Sequence, residues 1–335
     1  MGIAKFDAKK AAKVQEPINT ERKLFTDGIG TLVQSATSLE TAIKLSGLDF
    51  EVVKQPAAYI RQVPQKMSDG TTIMVECPVK VPNRYYTVRT DTWEGLGEVS
   101  EGYQILQNRE AFDFLDGMLA EAKFETAGDF GGGGAKSFIT MSTEPMKILG
   151  DNFQPYILLT NSHDGTGSVR VCFTPVRVFC SNTLVRAWKN GENKLSIRHS
   201  TNLQYRLAAA REVLLKNSEY LEALKKEAEK LAVTPFSAEA FEALARSLFP
   251  VNEADKEVSK IRNEMQLEAL LRAYRQDDLG NFAGTAWRAV QAVADFESHE
   301  PVFRRTETAK FHNITNVMNG MPMTNMITDR LLATA

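Results

Sequence analysis

Residues 55–81 decide the fold: Gln55 to Val63 (QPAAYIRQV), a break at Ser68-Asp69-Gly70, then Thr71 to Val81 (TTIMVECPVKV). Both runs are rich in apolar and β-branched residues. An Asp-Gly between two such runs marks a hairpin, because the tight turns that match strand twist need positive φ. Working outward, Arg84 to Thr90 reads as another strand. Ser137 to Met141, Tyr156 to Thr160 and Ser168 to Cys180 read as three more. The last two flank Asn161-Ser162-His163-Asp164-Gly165-Thr166-Gly167, a turn by composition with Asp164-Gly165 at its tip. Asp91-Thr92-Trp93-Glu94-Gly95-Leu96-Gly97 reads as a further turn.

Two helices interrupt this pattern. Ser38 is a good cap for Leu39, Ala42, Ile43 and Leu45, which end at Ser46-Gly47. Asn108 is expected to cap a second helix within 103–124, carrying Ala111, Phe112, Leu115, Met118 and Leu119 on one face. Strands and helices interleave irregularly and hairpins dominate. That predicts an α+β protein with a hairpin-rich, mostly antiparallel sheet and a packed helix, not a parallel βαβ fold.

From about residue 200 the pattern turns helical. Leu203, Leu207, Ala210, Leu214, Asn217, Leu221, Leu224, Ala228 and Leu231 alternate four and three apart, the spacing of a helix-packing seam. The seam stops at Thr234-Pro235, where proline cannot continue the hydrogen-bond ladder. Helices are expected at about 237–248, 254–276 and 280–298, the middle one charged and solvated. The seam has two readings, packing on later helices of the same chain or pairing with another copy. The division is an N-terminal arm and short helix (1–54), an α+β core (55–199), a helical domain (200–300) and a tail (301–335).

The 335 residues are 43% hydrophobic and 24% charged with net charge −2, which excludes disorder and a wholly basic surface. Cys77, Cys172 and Cys180 are odd in number and follow no CxxC pattern, so neither a disulfide framework nor a metal site is expected, and the compartment should be reducing. No run is long and apolar enough to span a membrane, and the lysine-rich start has no apolar run behind it. The cytoplasm is the expected location, that of a bacterial host if the gene belongs to a phage or plasmid.

Three features bear on chemistry. Gly131-Gly132-Gly133-Gly134-Ala135-Lys136-Ser137 suggests a ligand loop, with Lys136 beside it. It lacks the glycine directly before Lys-Ser that a phosphate loop needs, and it precedes a strand, not a helix. Ser162-His163-Asp164 sets an imidazole beside a carboxylate, but neighbours in a tight turn point apart, and no HxxxH or HxH spacing joins the four histidines. No catalytic residue, metal or cofactor is assigned. The third feature is basic. Arg170, Arg177, Arg186, Lys189, Lys194, Arg198, Arg206 and Arg211 face one acid, Glu192, so residues 165–211 carry net +7 in a chain of −2. Such asymmetry fits a phosphate-binding surface, with Phe179, Trp188 and Tyr205 as stacking faces. The alternative is ion pairing with the acidic helices.

Several segments together carry a family resemblance: Leu96-Gly97-Glu98-Val99-Ser100 with Tyr103 and Gln107-Asn108; Glu125-Thr126-Ala127-Gly128; and Asn161 to Gly165 leading to Thr174 through Leu184. Ile197-Arg198-His199 and Gly284-Thr285-Ala286-Trp287 complete the set. Over about residues 40–300 the chain resembles the phage- and plasmid-like proteins built on a domain of unknown function, number 932. The resemblance implies a mobile-element gene product and no assigned reaction. A helix before a hairpin-rich sheet with basic strand ends is also similar to ring-forming single-strand annealing recombinases, by fold analogy alone.

The expected function is therefore a non-enzymatic accessory protein that binds single-stranded DNA, as a homo-oligomer, in recombination or replication. A module that inhibits or recruits a host protein is the alternative. An enzyme ranks last, because no complete constellation is visible.

Overall fold

The computed structural model describes residues 29–113, 115, 122–130, 132–177, 194–199, 217–252, 255–276, 282–299 and 312–335. The strands are β1 (Thr31–Leu32), β2 (Val52–Lys66), β3 (Thr72–Arg89), β4 (Gly95–Ser100), β5 (Ala122–Asp129), β6 (Lys136–Thr143), β7 (Met146–Ile148), β8 (Asp151–Ser162), β9 (Val169–Arg177) and β10 (Lys194–Ile197). The helices are α1 (Leu39–Leu45), α2 (Asn108–Phe112), α3 (Asn217–Val233), α4 (Ala238–Leu248), α5 (Glu257–Arg275), α6 (Ala286–His299), α7 (His312–Asn319) and α8 (Pro322–Thr334). The α+β expectation holds: antiparallel sheets come first and helices follow.

The hairpin signal at Asp69-Gly70 joins β2 to β3, with Gly70 at φ +83. Arg84 to Thr90 is not a separate strand. It is the base of β3, which continues through a bulge where Pro56 pairs Tyr85 but Ala58 pairs Lys80. Asn83 takes a left-handed φ of 56 there. The third strand of this small sheet is β4, which begins inside the segment read as a turn. Two glycines hid it. Strand interiors disfavour glycine, but here Gly97 is needed for close approach. A Cβ on Gly97 would sit 2.5 Å from the Asp164 Cα. Beyond the bulge, β2 and β3 run on as a two-stranded ribbon in which no residue of Ala58–Lys66 or Thr72–Lys80 is buried.

The larger sheet has the order β1, β5, β6, β8, β9, β10, with β7 also paired to β8, all antiparallel. Period-two alternation divides its faces. Ile139, Ile157, Leu159, Val169 and Val171 point to one side and pack with Leu39 and Ile43 of α1 and with Phe112 and Leu115. Phe138, Leu158 and Cys172 point to the other and meet Val317 of α7 and Met321. Each large side chain buried fully contributes roughly 1.5–3 kcal/mol.

Helix boundaries follow their caps. The Ser38 hydroxyl accepts from the Thr41 amide at 3.3 Å, as expected. Asn108, however, is the first helical residue of α2 and not its cap. Gln107 holds that position, and Glu110 reaches back to its amide at 3.2 Å. The Gln107 carboxamide bonds both backbone groups of Val52, at 3.0 and 2.9 Å, and so pins α2 to the base of β2. Met118 and Leu119 lie outside the described residues. Leu224, Ala228 and Leu231 of the seam are buried with Phe241, Leu270, Trp287 and Leu331, so this part of the seam packs within its own chain. Ile148 and Phe153 of the sheet join the same cluster. The upper seam, Leu203 to Leu214, lies outside the described residues.

Candidate functional site: a basic cleft at the β8–β9 turn

The β8–β9 turn packs on β4, and glycines at both contacts permit it. A Cβ on Gly165 would lie 2.9 Å from the Glu98 carbonyl, as Gly97 does to Asp164 on the other side. Two hydroxyls fix the turn. Thr87 donates to the His163 carbonyl at 2.6 Å, and Tyr103 donates to the Ser162 carbonyl at 2.7 Å. Burial raises the Tyr103 pKa well above the usual phenol value, so it remains a donor.

His163 and Asp164 do point apart. The Asp164 carboxylate accepts from the Ser162 hydroxyl at 2.6 Å and from the Thr166 amide at 2.9 Å, and it pairs with Lys136 at 3.3 Å. Burial alone would raise its pKa, but these donors outweigh burial and lower it. His163 turns inward and is wholly buried. Its Nε2 lies 3.0 Å from Asn108 Oδ1, which also accepts from Ser137 at 2.7 Å and from Asn161 at 3.2 Å. An oxygen only accepts, so the proton sits on Nε2 and Nδ1 is bare. No hydrogen-bond partner faces Nδ1. Burial, with His199 nearby, drives the His163 pKa down to about 4. It is a neutral core group that organises Asn108, Ser137 and Asn161.

The exposed side of the turn is different. A cleft of about 450 Å³ opens there, lined by Tyr103, Thr166, Ser168, Arg170, Ser196, Arg198 and His199. Arg170 stands opposite Ser196 in the β9–β10 ladder, and Arg198 follows β10 directly, so two strands bring their cations together. Arg170 donates to Asn319 at 3.0 Å and to Ser168 at 3.4 Å, while Arg198 is exposed. His199 stacks on Tyr103 with ring centroids 4.8 Å apart, and its Nδ1 donates to the Gln104 carbonyl at 3.0 Å. Its Nε2 is buried without a partner. Burial lowers its pKa, which leaves Nε2 as a hydrogen-bond acceptor.

Of the basic residues expected to bind nucleic acid, the structure thus brings Arg170 and Arg198 to one cleft. Arg177 and Lys194 fall on β9 and β10, but their side chains, and all of Arg186, Lys189, Arg206 and Arg211, lie outside what is described. The glycine run lies apart from the lining of the cleft. Gly132, Gly133 and Gly134 have φ of +78, +60 and +90. The Gly133 carbonyl accepts from Arg89 at 2.9 Å, and a Cβ on Gly134 would lie 2.6 Å from the Phe50 ring. Arg89 lies 4.0 Å above that ring and pairs with Asp91 at 2.7 Å. Gly134 is therefore close-packed, Gly132 and Gly133 are exposed, and Gly131 lies outside the described residues. Lys136, beside it, turns to Asp164. Sequence reasoning missed Thr160 and Ser168, which stand with Arg170 at this strand end. The cue was the alternation Val169-Arg170-Val171, which sends Arg170 to the face opposite the core. Among the described residues no cluster of His, Cys, Asp and Glu could hold a metal ion, and no helix is long and apolar enough to cross a membrane.

The fold and site define an α+β protein whose family-bearing segments, Leu96–Ser100, Tyr103, Asn108, Asn161–Gly165 and Ile197–His199, meet around the β8–β9 turn, with Tyr103, Gly165, Arg198 and His199 lining the basic cleft. Residues 95–318 match the domain of unknown function DUF932, and the chain belongs to that family. No curated protein and no solved structure matches it.

Proposed function

We propose that the protein binds single-stranded nucleic acid in the cleft at the β8–β9 turn, as a non-enzymatic factor in the recombination or replication of a phage or plasmid. The observation that carries the reading is the convergence of Arg170 and Arg198 over a cleft lined otherwise by hydroxyls and the Tyr103–His199 pair. Arginines suit phosphate because their fork of donors is rigid and always charged. The bare His199 Nε2 suits a donor on the ligand, such as a sugar hydroxyl or a base N–H. The net +7 of residues 165–211, to which Arg170 and Arg198 belong, favours a polyanionic ligand.

A salt titration tests it. Labelled single-stranded DNA is followed by anisotropy from low to moderate salt. The logarithm of affinity should fall linearly with the logarithm of salt, and Arg198→Ala should flatten the slope by about 0.7, the loss of one single-strand phosphate contact. An absence of binding at low salt, or a slope indifferent to Arg198→Ala, refutes the reading.

A further inference from the structure

Arg170 also borders a second, smaller cavity on the face of the sheet opposite His163. Its floor follows from strand register. Lys136 pairs Ser162 across β6 and β8, and Thr160 pairs Arg170 across β8 and β9. Down the same face the alternation gives Phe138, Leu158 and Cys172, which are core. At the strand ends it gives polar and cationic side chains instead. Asn319 of α7 and Phe130 form the walls.

The cavity measures about 150 Å³ and is more enclosed than the cleft. At ~30 Å³ per water it has room for about five waters, the bulk of one phosphate group and far less than a nucleotide. Among the described residues its lining includes two cations, Lys136 and Arg170, and no carboxylate. The Asp164 carboxylate engages Lys136 at 3.3 Å, which leaves Lys136, Arg170 and Asp164 net positive together. Thr160 is 2% exposed, and its hydroxyl has no hydrogen-bond partner. A buried hydroxyl without a partner is costly and calls for an explanation.

We infer that this cavity is a pocket for a phosphate monoester, the terminal phosphate of the strand whose chain lies in the adjoining cleft. The inference rests on the strand-binding reading, and Arg170, which lines both spaces, joins them. The cavity has about a third of the cleft's volume, and an internal phosphodiester would need a second opening for the onward chain. A terminal phosphate needs only one entrance. Lys136 and Arg170 supply charge, and the Thr160 hydroxyl donates the hydrogen bond it otherwise lacks.

The decisive variant is Thr160→Val, which removes the hydroxyl, keeps the shape and touches neither cation. Without ligand its melting temperature should equal or exceed that of the wild type, since an unsatisfied polar group is gone. Inorganic phosphate should raise the melting temperature of the wild type, relative to chloride at equal ionic strength, and raise that of Thr160→Val much less. Strands of one sequence bearing a 5′-phosphate, a 3′-phosphate or hydroxyl ends are then compared. One phosphorylated form should bind about tenfold tighter than the hydroxyl form, the scale of a charge-assisted hydrogen bond. Thr160→Val should erase most of that difference. If the hydroxyl strand binds and a terminal phosphate adds nothing, the pocket assignment falls and the cleft reading stands. If inorganic phosphate protects wild type and Thr160→Val alike, the assignment also falls. If no strand binds but phosphate protects the wild type alone, the pocket stands and the strand reading falls.

Discussion

Acidification should destabilise this protein through His163. The ring is buried, donates through Nε2 to Asn108, and presents a bare Nδ1 to a space with no acceptor. A second proton would therefore be a buried, unpaired charge, and the folded-state pKa falls from 6.5 to about 4. The sign follows from proton counting. Between those values the unfolded chain holds one more proton than the folded one, so stability rises with pH across the window and is lost as pH falls through it. At pH 5 the unfolded ring is nearly all protonated and the folded ring nearly all neutral. The loss relative to pH 7.5 is then about 2 kcal/mol, approaching about 3 kcal/mol below pH 4. Denaturant melts at pH 7.5 and pH 5, followed by tryptophan emission, measure it. His163→Gln keeps a donor toward Asn108 and cannot titrate. Its stability at pH 7.5 will differ, but its loss between the two pH values should be smaller than that of the wild type by about 2 kcal/mol. Equal losses in the two proteins would refute the reasoning, because the acid sensitivity would then belong to other groups.

Gly97→Ala should destabilise by at least about 1–3 kcal/mol, because the new methyl meets the backbone of Asp164 and no flexible side chain that could yield; a melting temperature within a degree of wild type would count against the close packing of β4 and the turn. Glu297 of α6 accepts from the Met323 amide at 3.1 Å and from the Thr324 amide and hydroxyl at 2.8 and 2.7 Å, capping a helix whose own cap position, Met321, offers no side-chain oxygen. Glu297→Gln should cost about 1–3 kcal/mol and speed amide exchange selectively at the start of α8.

Much of the fold was legible where local chemistry and tertiary need agree. Asp69-Gly70, Ser38 and Pro235 each act within a few residues of their own position, and each marks a boundary in the structure. The failures share a cause. Gly95 and Gly97 argue against a strand locally, yet β4 needs Gly97 because the backbone of Asp164 lies against it. Asn108 has the chemistry of a cap, yet it is buried to gather Ser137, Asn161 and His163, residues distant in sequence. The site was half legible. Charge counting led to Arg170 and Arg198 but could not say which of eight cations share a cleft. Thr160 and His199 matter through what their buried atoms lack, and no local pattern announces an unmet hydrogen bond.

The ribbon of β2 and β3 carries a hazard that its prolines answer. A two-stranded ribbon standing clear of its protein offers an outer row of backbone donors and acceptors along each strand, a template on which further strands could add without limit. Pro64 pairs Met74 and Pro78 pairs Ile60, so both prolines fall on ladder positions of the same parity. Proline cannot donate into the ladder, so these are the positions whose backbone faces outward. One proline thus interrupts each rim, Pro64 toward the turn and Pro78 toward the base, with Lys66 and Lys80 farther along the two rims. The ribbon can present its two faces to a solution crowded with copies of itself while neither rim can seed a growing sheet.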